Sequence, residues 1–567
     1  MKAKKILTAA VLSLAMLTSV GCGGQTIQSF DKDKTQLYVG VYNGGYGMAW
    51  LEKAEKGFEE LYPDVDVVLM QKKDEYETSK LKDTIDELGI DLYYAPISYL
   101  QMLEEDFALD ITDAVTGAID LNGVKDTSIE SRMLPDFKNY YNMGTESAPA
   151  YYAVPLGGSF WGLNYDYDLF EEESLFIAES DGSGDNITWT SGLAGQPEKS
   201  LGRDGVKGTY DDGCPETYED FYALMLKMAQ KSVTPFIWAN KQNGYHSYFM
   251  QSLMSDYEGK SVIDAAYAMD GVEITLFDTA KSTYDEAMAS ADRKEVITDK
   301  TGYYLSQMKG KAAAIKLIRD VLDNGWYDTR SDLGTTTFMQ AQSFYLESKK
   351  YSKINPAYNR VAFLIDGGHW YNEIKAYDKS YTATNYPEYA ASGRRFSIMP
   401  FPKFETSEND KSTLMISSAN FGAFVRKNAE QKELAKKFLQ YTLTTENIKM
   451  TATESGMSMF YRYELSDAQY SAMPYYYRVA SQIMSSDKVD KVSGLAKTTF
   501  YKNNVEYTER YNLLWLGTHV LSDGVQVGVS SIISDMQARN LDAYSYMKAS
   551  ERKYTASYWA GQYQLSK

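Results

Sequence analysis

Leu37, Val39 and Val41 alternate with polar or small residues in QLYVGVY, the period-two pattern of a strand, which runs out into Tyr42-Asn43-Gly44-Gly45-Tyr46-Gly47. The period then lengthens. Leu51, Ala54, Phe58 and Leu61 recur at helical spacing until Pro63 and Asp64 stop the helix. Residues 65–70 (VDVVLM) read as a second strand, residues around 77–88 as a helix, and IDLYYA as a third strand ending at Tyr94. This β-α-β-α-β rhythm predicts a mostly parallel sheet covered by helices. Such sheets bind ligands beyond the carboxyl ends of their strands, which nominates residues 42–46, 71–76 and 94–98.

Residues 151–170, YYAVPLGGSFWGLNYDYDLF, organise the rest. Tyr152, Val154 and Leu156 alternate, Gly157 and Gly158 make a bend, and Phe160, Gly162 and Tyr165 begin a new run. The glycine pair is expected to supply dihedrals that a side chain forbids. The composition changes here, so the chain is expected to cross from one lobe to another over a ligand cleft. Residues 179–215 form a Gly/Asp-rich loop in which Asp204, Asp211 and Asp212 offer oxygens to a structural calcium ion, although a solvated turn cluster is the favoured reading. A helix over 218–230 follows. Phe236 and Trp238 then sit at a strand end, with Tyr245 and His246 opening a helix, and residues 250–350 read as helical scaffold. In RVAFLIDGGHWYNEI an apolar strand ends in Asp366-Gly367-Gly368, and Trp370 is positioned to stack on a ligand beside the carboxylate. Residues 394–404 and 420–425 read as strands. Leu434, Phe438 and Tyr441 share one face of a helix over 430–443, and the tail from 446 is Tyr-rich and helical.

The N-terminus reads as an address. Lys2, Lys4 and Lys5 precede an apolar stretch over 6–20 that is too short to span a bilayer and has the layout of an export signal. Ser19-Val20-Gly21-Cys22 resembles a bacterial lipobox, which implies cleavage before Cys22 and lipidation of its sulfur, with residues 23–35 as a tether. Cys214 is then a lone thiol, with no disulfide framework. At 567 residues the chain needs more than one core. A net charge of -19 argues against nucleic acid or an anionic membrane surface as a partner. Aromatic residues make up 14% of the chain, and rigid rings give flat contact surface at low entropic cost.

The order of these segments resembles the extracellular solute-binding proteins of ABC importers, specifically the large sugar-binding family that includes maltose-binding protein. The first strand–helix pair, ending in FEELYPDVDV, is similar to the family's, and IDLYYAPISYLQMLEEDFALDIT resembles the third strand, whose aromatic, here Tyr94, reaches the sugar. YYAVPLGGSFWGLNYDYDLF is similar to the first hinge crossing, and IMPFPKF, NFGAFV and KELAKKFLQYT to the return to lobe one. FLIDGGHWYN is similar to the strand end whose Trp stacks on sugar. One extra residue there, and Asp366 in place of Asn, leave His369 or Trp370 to fill that position.

The resemblance implies an α/β, two-lobe periplasmic-binding-protein-like fold (type II), with two sheets and flanking helices joined by a hinge. It implies a signal peptide over 1–21, a lipid-anchored tether over 22–35, lobe one over 36–153 and 396–445, and lobe two over 154–395 and 446–567. Sugar recognition needs ring faces against C–H surface and planar polar groups against hydroxyls. The residues offering these are Tyr42, Asn43, Tyr46, Tyr94, Ser159, Trp238, Tyr245, Asp366 and Trp370. Trp50, Trp326, Trp515 and Trp559 read as core. The implied partners are a carbohydrate and ABC permease subunits, with contact to the membrane through the lipid anchor alone, for a monomer on the outer face of a bacterial cell. A glycan hydrolase is the main rival, and a binding protein for a peptide or other polar solute is another. Three histidines without H-E-x-x-H, and no G-x-S-x-G or phosphate-loop motif, leave other enzyme classes without a signature.

Overall fold

The computed structural model describes residues 31–567 except 73–75, 77–80, 82–83, 180–186, 242–244, 333–334, 356–357, 382–389, 405–410, 418, 498–518, 521–525, 528–535, 537–539 and 566–567. Cys22, the export signal, Trp515 and half of the helix expected over 77–88 lie outside these residues.

Two main sheets make two α/β lobes. In lobe one the strands lie in the order Val65–Lys72, Thr35–Tyr42, Leu92–Pro96, Phe421–Val425, Val154–Pro155. The first three are parallel, as the β-α-β rhythm predicts, and the last two join antiparallel. The helix Ala49–Leu61 covers this sheet by burying Trp50, Leu51, Ala54 and Phe58, while Glu52, Lys53, Lys56 and Glu60 stay in water. Burying side chains the size of Leu51 or Phe58 contributes roughly 1.5–3 kcal/mol each.

In lobe two the long strand Gly157–Asp166 is the axis, and all ten of its residues are buried. Its first half pairs with Ser412–Ser417 and Ser458–Met459, and its second half with Arg360–Gly367 and Phe396–Met399. Val233–Trp238 and Val489–Val492 extend the sheet on either side. Asp166 closes the strand. Its side chain caps the next helix through the Leu169 N–H and is ion-paired, fully buried, with Arg394 and Arg360.

The chain crosses between the lobes at Leu156, between Ser417 and Phe421, and again after the helix Thr445–Ser455. These crossings are bonded together: the Leu156 N–H donates to Phe421 O (2.9 Å) and the Phe460 N–H to Leu156 O (3.1 Å). The expected lobe boundaries shift accordingly. Val154–Pro155 pairs in lobe one. The expected return at residue 396 occurs only after Ser417, because Phe396–Met399 and Ser412–Ser417 both pair with Gly157–Asp166. The helix Thr445–Ser455, expected in lobe two, packs on Ala49–Leu61 in lobe one, where Glu454 is ion-paired with Lys53. Residues 250–350 also hold an antiparallel hairpin, Asp270–Thr275 with Lys294–Thr298, inside the expected helical scaffold.

Gly157 and Gly158 are needed for a different reason than expected. Neither has a positive φ. A Cβ on Gly158 would stand 2.2 Å from the Ser417 carbonyl oxygen, and one on Gly157 would stand 2.9 Å from that of Ser458. Close backbone approach at the crossing, not an unusual dihedral, excludes a side chain there.

Candidate functional site

The lobes meet along a seam beside the crossings, where aromatic rings form a line. From lobe one, the loop after Thr35–Tyr42 brings Tyr46 onto Phe421 (centroids 6.2 Å, planes 19° apart). Two glycines with positive φ, Gly45 and Gly47, shape this loop, and both donate N–H groups to the Asn43 side-chain oxygen (3.3 Å each). Tyr46 meets His369 of lobe two edge-on at 6.2 Å. His369 meets Trp161 at 5.7 Å, Trp161 meets Tyr245 at 5.8 Å, and Tyr245 stacks on Phe338 at 6.1 Å.

Polar groups gather beneath this line. Asp366, next to last in the strand Arg360–Gly367, is 1% exposed, and its carboxylate accepts from the Gly367 N–H (2.7 Å) and from Gln342 Nε2 (3.0 Å). The same Gln342 Nε2 donates to Glu373 (2.7 Å), one helical turn beyond His369. His369 Nε2 lies 3.6 Å from Asp366, and its Nδ1 lies 3.4 Å from Ser417 Oγ. A Cβ on Gly45 would meet Glu373 and His369 at 3.1 Å, so the lobe-one loop rests directly on the lobe-two helix Trp370–Tyr381.

Of the residues nominated from sequence, Tyr46, Tyr245 and Asp366 lie in this seam. Tyr42 is half-buried with its ring 6.5 Å from Phe421. Ser159 is buried under the Gly367-Gly368 turn, where its Oγ would lie 1.9 Å from a Cβ on Gly368. Asn43 is used by its own loop.

Two nominated residues lie away from the seam. Tyr94 is fully buried on the helix side of lobe one, edge-on to Trp50 at 5.6 Å and bonded to Thr442 Oγ1 at 2.6 Å; burial pushes its phenol pKa up. Trp370 is likewise fully buried, with its ring edge-on to Phe396, Tyr345 and Tyr476 at 5.1–6.1 Å, so it is core. Of the two candidates for the stacking position, His369 reaches the seam. Trp238 stacks on Tyr327 (5.3 Å) inside lobe two rather than on a member of the line.

Sequence reasoning missed Trp161, Phe338, Phe421, Gln342 and Glu373. Glu373 was visible as the residue four beyond His369, on the same helical face. Gln342, in the second turn of the helix Phe338–Ile354, carries no local signal.

The loop over 204–212 uses its carboxylates on itself. Asp211 accepts from the Asp204 N–H (3.1 Å) and from Thr209 Oγ1, and Asp212 accepts from the Gly208 N–H. Burial, aided by the Asp204 charge, pushes Asp211 up to about 6. Among the described residues no group of three or more His, Cys, Asp or Glu side chains is arranged to hold a metal ion. No helix of the described residues is long and apolar enough to cross a membrane.

Several solved structures share this fold at 12% sequence identity. One comes from work on xylan utilization by Caldanaerobius polysaccharolyticus (TM-score 0.55, covering 92% of this chain and all of that one). A second is a probable secreted solute-binding lipoprotein from Streptomyces coelicolor (0.52, 92% and 100%). A third is a solute-binding protein in complex with raffinose (0.51, 91% and 100%). No curated protein matches the chain in sequence. The profile of the family described as bacterial extracellular solute-binding protein matches residues 53–460, well over half of the chain. The two lobes, the bonded crossings and this match together establish that the chain belongs to the bacterial extracellular solute-binding protein family.

Proposed function

We propose that this protein is the substrate-binding lipoprotein of an ABC-type carbohydrate importer. It captures a mono- or oligosaccharide in the interlobe seam by hinge closure. It delivers the sugar to the permease subunits as a monomer held to the outer face of the cell membrane through Cys22. The observation that carries this reading is the line Tyr46, His369, Trp161, Tyr245 and Phe338 lying over Asp366, Glu373 and Gln342. Ring faces suit the C–H surface of a sugar, and carboxylate and amide groups suit its hydroxyls. Raffinose and chitin oligosaccharide binding by proteins of the same fold supports the assignment. A glycan hydrolase needs two carboxylates flanking the scissile bond. Asp366 and Glu373 are instead held side by side by one amide of lobe two.

A thermal-shift screen of the protein against mono- and oligosaccharides, with peptides as controls, tests the proposal. Ligand at ~100 times its dissociation constant adds roughly 2.7 kcal/mol of stability. A shift with one glycan family, and intact glycan on recovery, is expected. Shortened glycan would indicate a hydrolase, and a shift with peptides alone would overturn the carbohydrate assignment.

A further inference from the structure

Two lysines of lobe two reach across the boundary and hold the two ends of one lobe-one helix, Pro135–Tyr141. At its start, Lys260 Nζ lies 3.1 Å from Asp136 and 2.5 Å from Asp264, which stands one turn on in the lobe-two helix Lys260–Ala268. At its end, Lys497 Nζ donates to the main-chain oxygen of Asn142, the residue that closes the helix. A terminal helix carbonyl has no intrahelical donor and lies at the negative end of the dipole, so a cation suits it. The sheet orders locate these contacts. In lobe one the helix packs against Val154–Pro155, the edge strand, whereas Tyr46 follows Thr35–Tyr42 on the far side of Phe421–Val425. In lobe two Lys497 follows Val489–Val492, the edge strand beyond Ser412–Ser417, whereas His369 follows Arg360–Gly367 on the other side of Gly157–Asp166. The lysine pair and the Tyr46–His369 contact therefore bracket the crossings.

From this placement we infer that Lys260 and Lys497 form an electrostatic brace that holds the lobes in the arrangement in which Tyr46 meets His369. Lys260 does so by standing between Asp136 of lobe one and Asp264 of lobe two, two carboxylates that repel across the boundary without it. Their proximity also shows in Asp264, whose pKa burial pushes up against the pull of Lys260, with the Asp136 charge adding to the rise. The brace acts in the ligand-free protein and sets how often the lobes are closed before a ligand arrives, which scales the apparent affinity for any ligand. The inference rests on the lobes turning about the crossings, as proposed above, and not on what they bind.

Small-angle X-ray scattering of the ligand-free full chain tests it. The wild-type radius of gyration should rise between about 0.01 M and 1 M salt, where the Debye length falls from roughly 30 Å to 3 Å. At low salt Lys260→Met should lower the closed-to-open ratio up to about fivefold, the reach of an exposed ion pair. Lys497→Met should act in the same direction, and Lys260→Glu, which sets three carboxylates together, should expand the protein most. Lys260→Arg should scatter as the wild type does. Adding Asp264→Asn to Lys260→Met should draw the lobes together again, which lost packing of the lysine stem would not allow. A cooperative melt shows that each variant is folded. Unchanged scattering in Lys260→Glu, or an expansion of Lys260→Met that Asp264→Asn leaves in place, would overturn the inference. The sugar assignment fails separately. Expansion of the variants in a protein that responds to none of the mono- and oligosaccharides removes that assignment and keeps the brace, while sugar binding with no expansion does the reverse.

Discussion

Gly158→Ala is the sharpest probe of how the two lobes are joined. The new Cβ would stand 2.2 Å from the Ser417 carbonyl oxygen and 3.0 Å from Phe460 Cζ, where ordinary contact begins near 3.4 Å. The first obstacle is backbone and cannot rotate aside. Ser417 also pairs with Ser159 in the sheet, so relieving the clash means separating two strands at the crossing itself. Overpacking of this kind costs about 1–3 kcal/mol, and the backbone obstacle puts Gly158→Ala at the upper end of that range. Gly561→Ala is the control, because a Cβ there meets nothing within 4 Å on the helix Ala556–Leu565. It should be neutral or stabilise by roughly 0.5–1 kcal/mol, the ordinary helical preference for Ala. Urea denaturation reads both through the midpoint, with an unchanged m-value marking a true stability effect. A Gly158→Ala protein within about 0.5 kcal/mol of wild type, the range of an inert surface change, would refute the close-approach account of the hinge glycines.

Other substitutions test separate parts of the structure. Asp166→Asn leaves the guanidinium group of Arg394 buried without its carboxylate and leaves Arg360 with Glu172 alone, and should cost about 3–5 kcal/mol by chemical denaturation. Those two arginines hold the Asp166 carboxyl below its ordinary pKa against the pull of burial, so its contribution is present at neutral pH and lost as pH falls through the folded-state value. Lys311 is 1% exposed, and burial, reinforced by the Lys553 charge, pulls its pKa down from 10.5 to about 7. Its folded-state pKa lies below the unfolded one, so stability falls as pH drops from about 10 towards 7. Lys311→Met should flatten that part of the melting-temperature profile and stabilise the protein at pH 7 by about 2 kcal/mol. Cys214 is buried and its thiol pKa is pushed up, first by burial and then by the Asp211 charge. Iodoacetamide should leave it unmodified in the native protein and alkylate it in denaturant, as mass spectrometry would read.

Much of the fold was legible in the sequence because its signals are local. Alternation in QLYVGVY and VDVVLM, and the helical spacing from Leu51 to Leu61, specify the parallel start of lobe one. The Gly pair after Leu156 marks the crossing. What was not legible depends on partners distant in sequence. Phe396–Met399 reads as a strand, but nothing within it says that it pairs with Gly157–Asp166 rather than returning to lobe one. Tyr94 sits in a strand covered on both faces, and alternation cannot say which face looks toward the seam. His369 and Trp370 are adjacent at the start of a helix. The 100° between them sends one ring to the seam and the other into the core, a phase that the strand-end motif leaves open. The strip itself takes Phe421 and Tyr46 from lobe one and Trp161, Tyr245, Phe338 and His369 from lobe two, so only the packed lobes reveal it.

The central claim is that the ligand binds at the seam ring Tyr46 and not at the core ring Trp370. Calorimetric titration of Tyr46→Ala and Trp370→Phe, with the glycan that gives the largest thermal shift, tests it most directly. Loss of a stacking face should weaken binding at least about tenfold in Tyr46→Ala, the equivalent of roughly 1.4 kcal/mol, while Trp370→Phe keeps the wild-type affinity. Wild-type affinity in Tyr46→Ala together with lost binding in Trp370→Phe would contradict the account and return the site to the strand-end tryptophan.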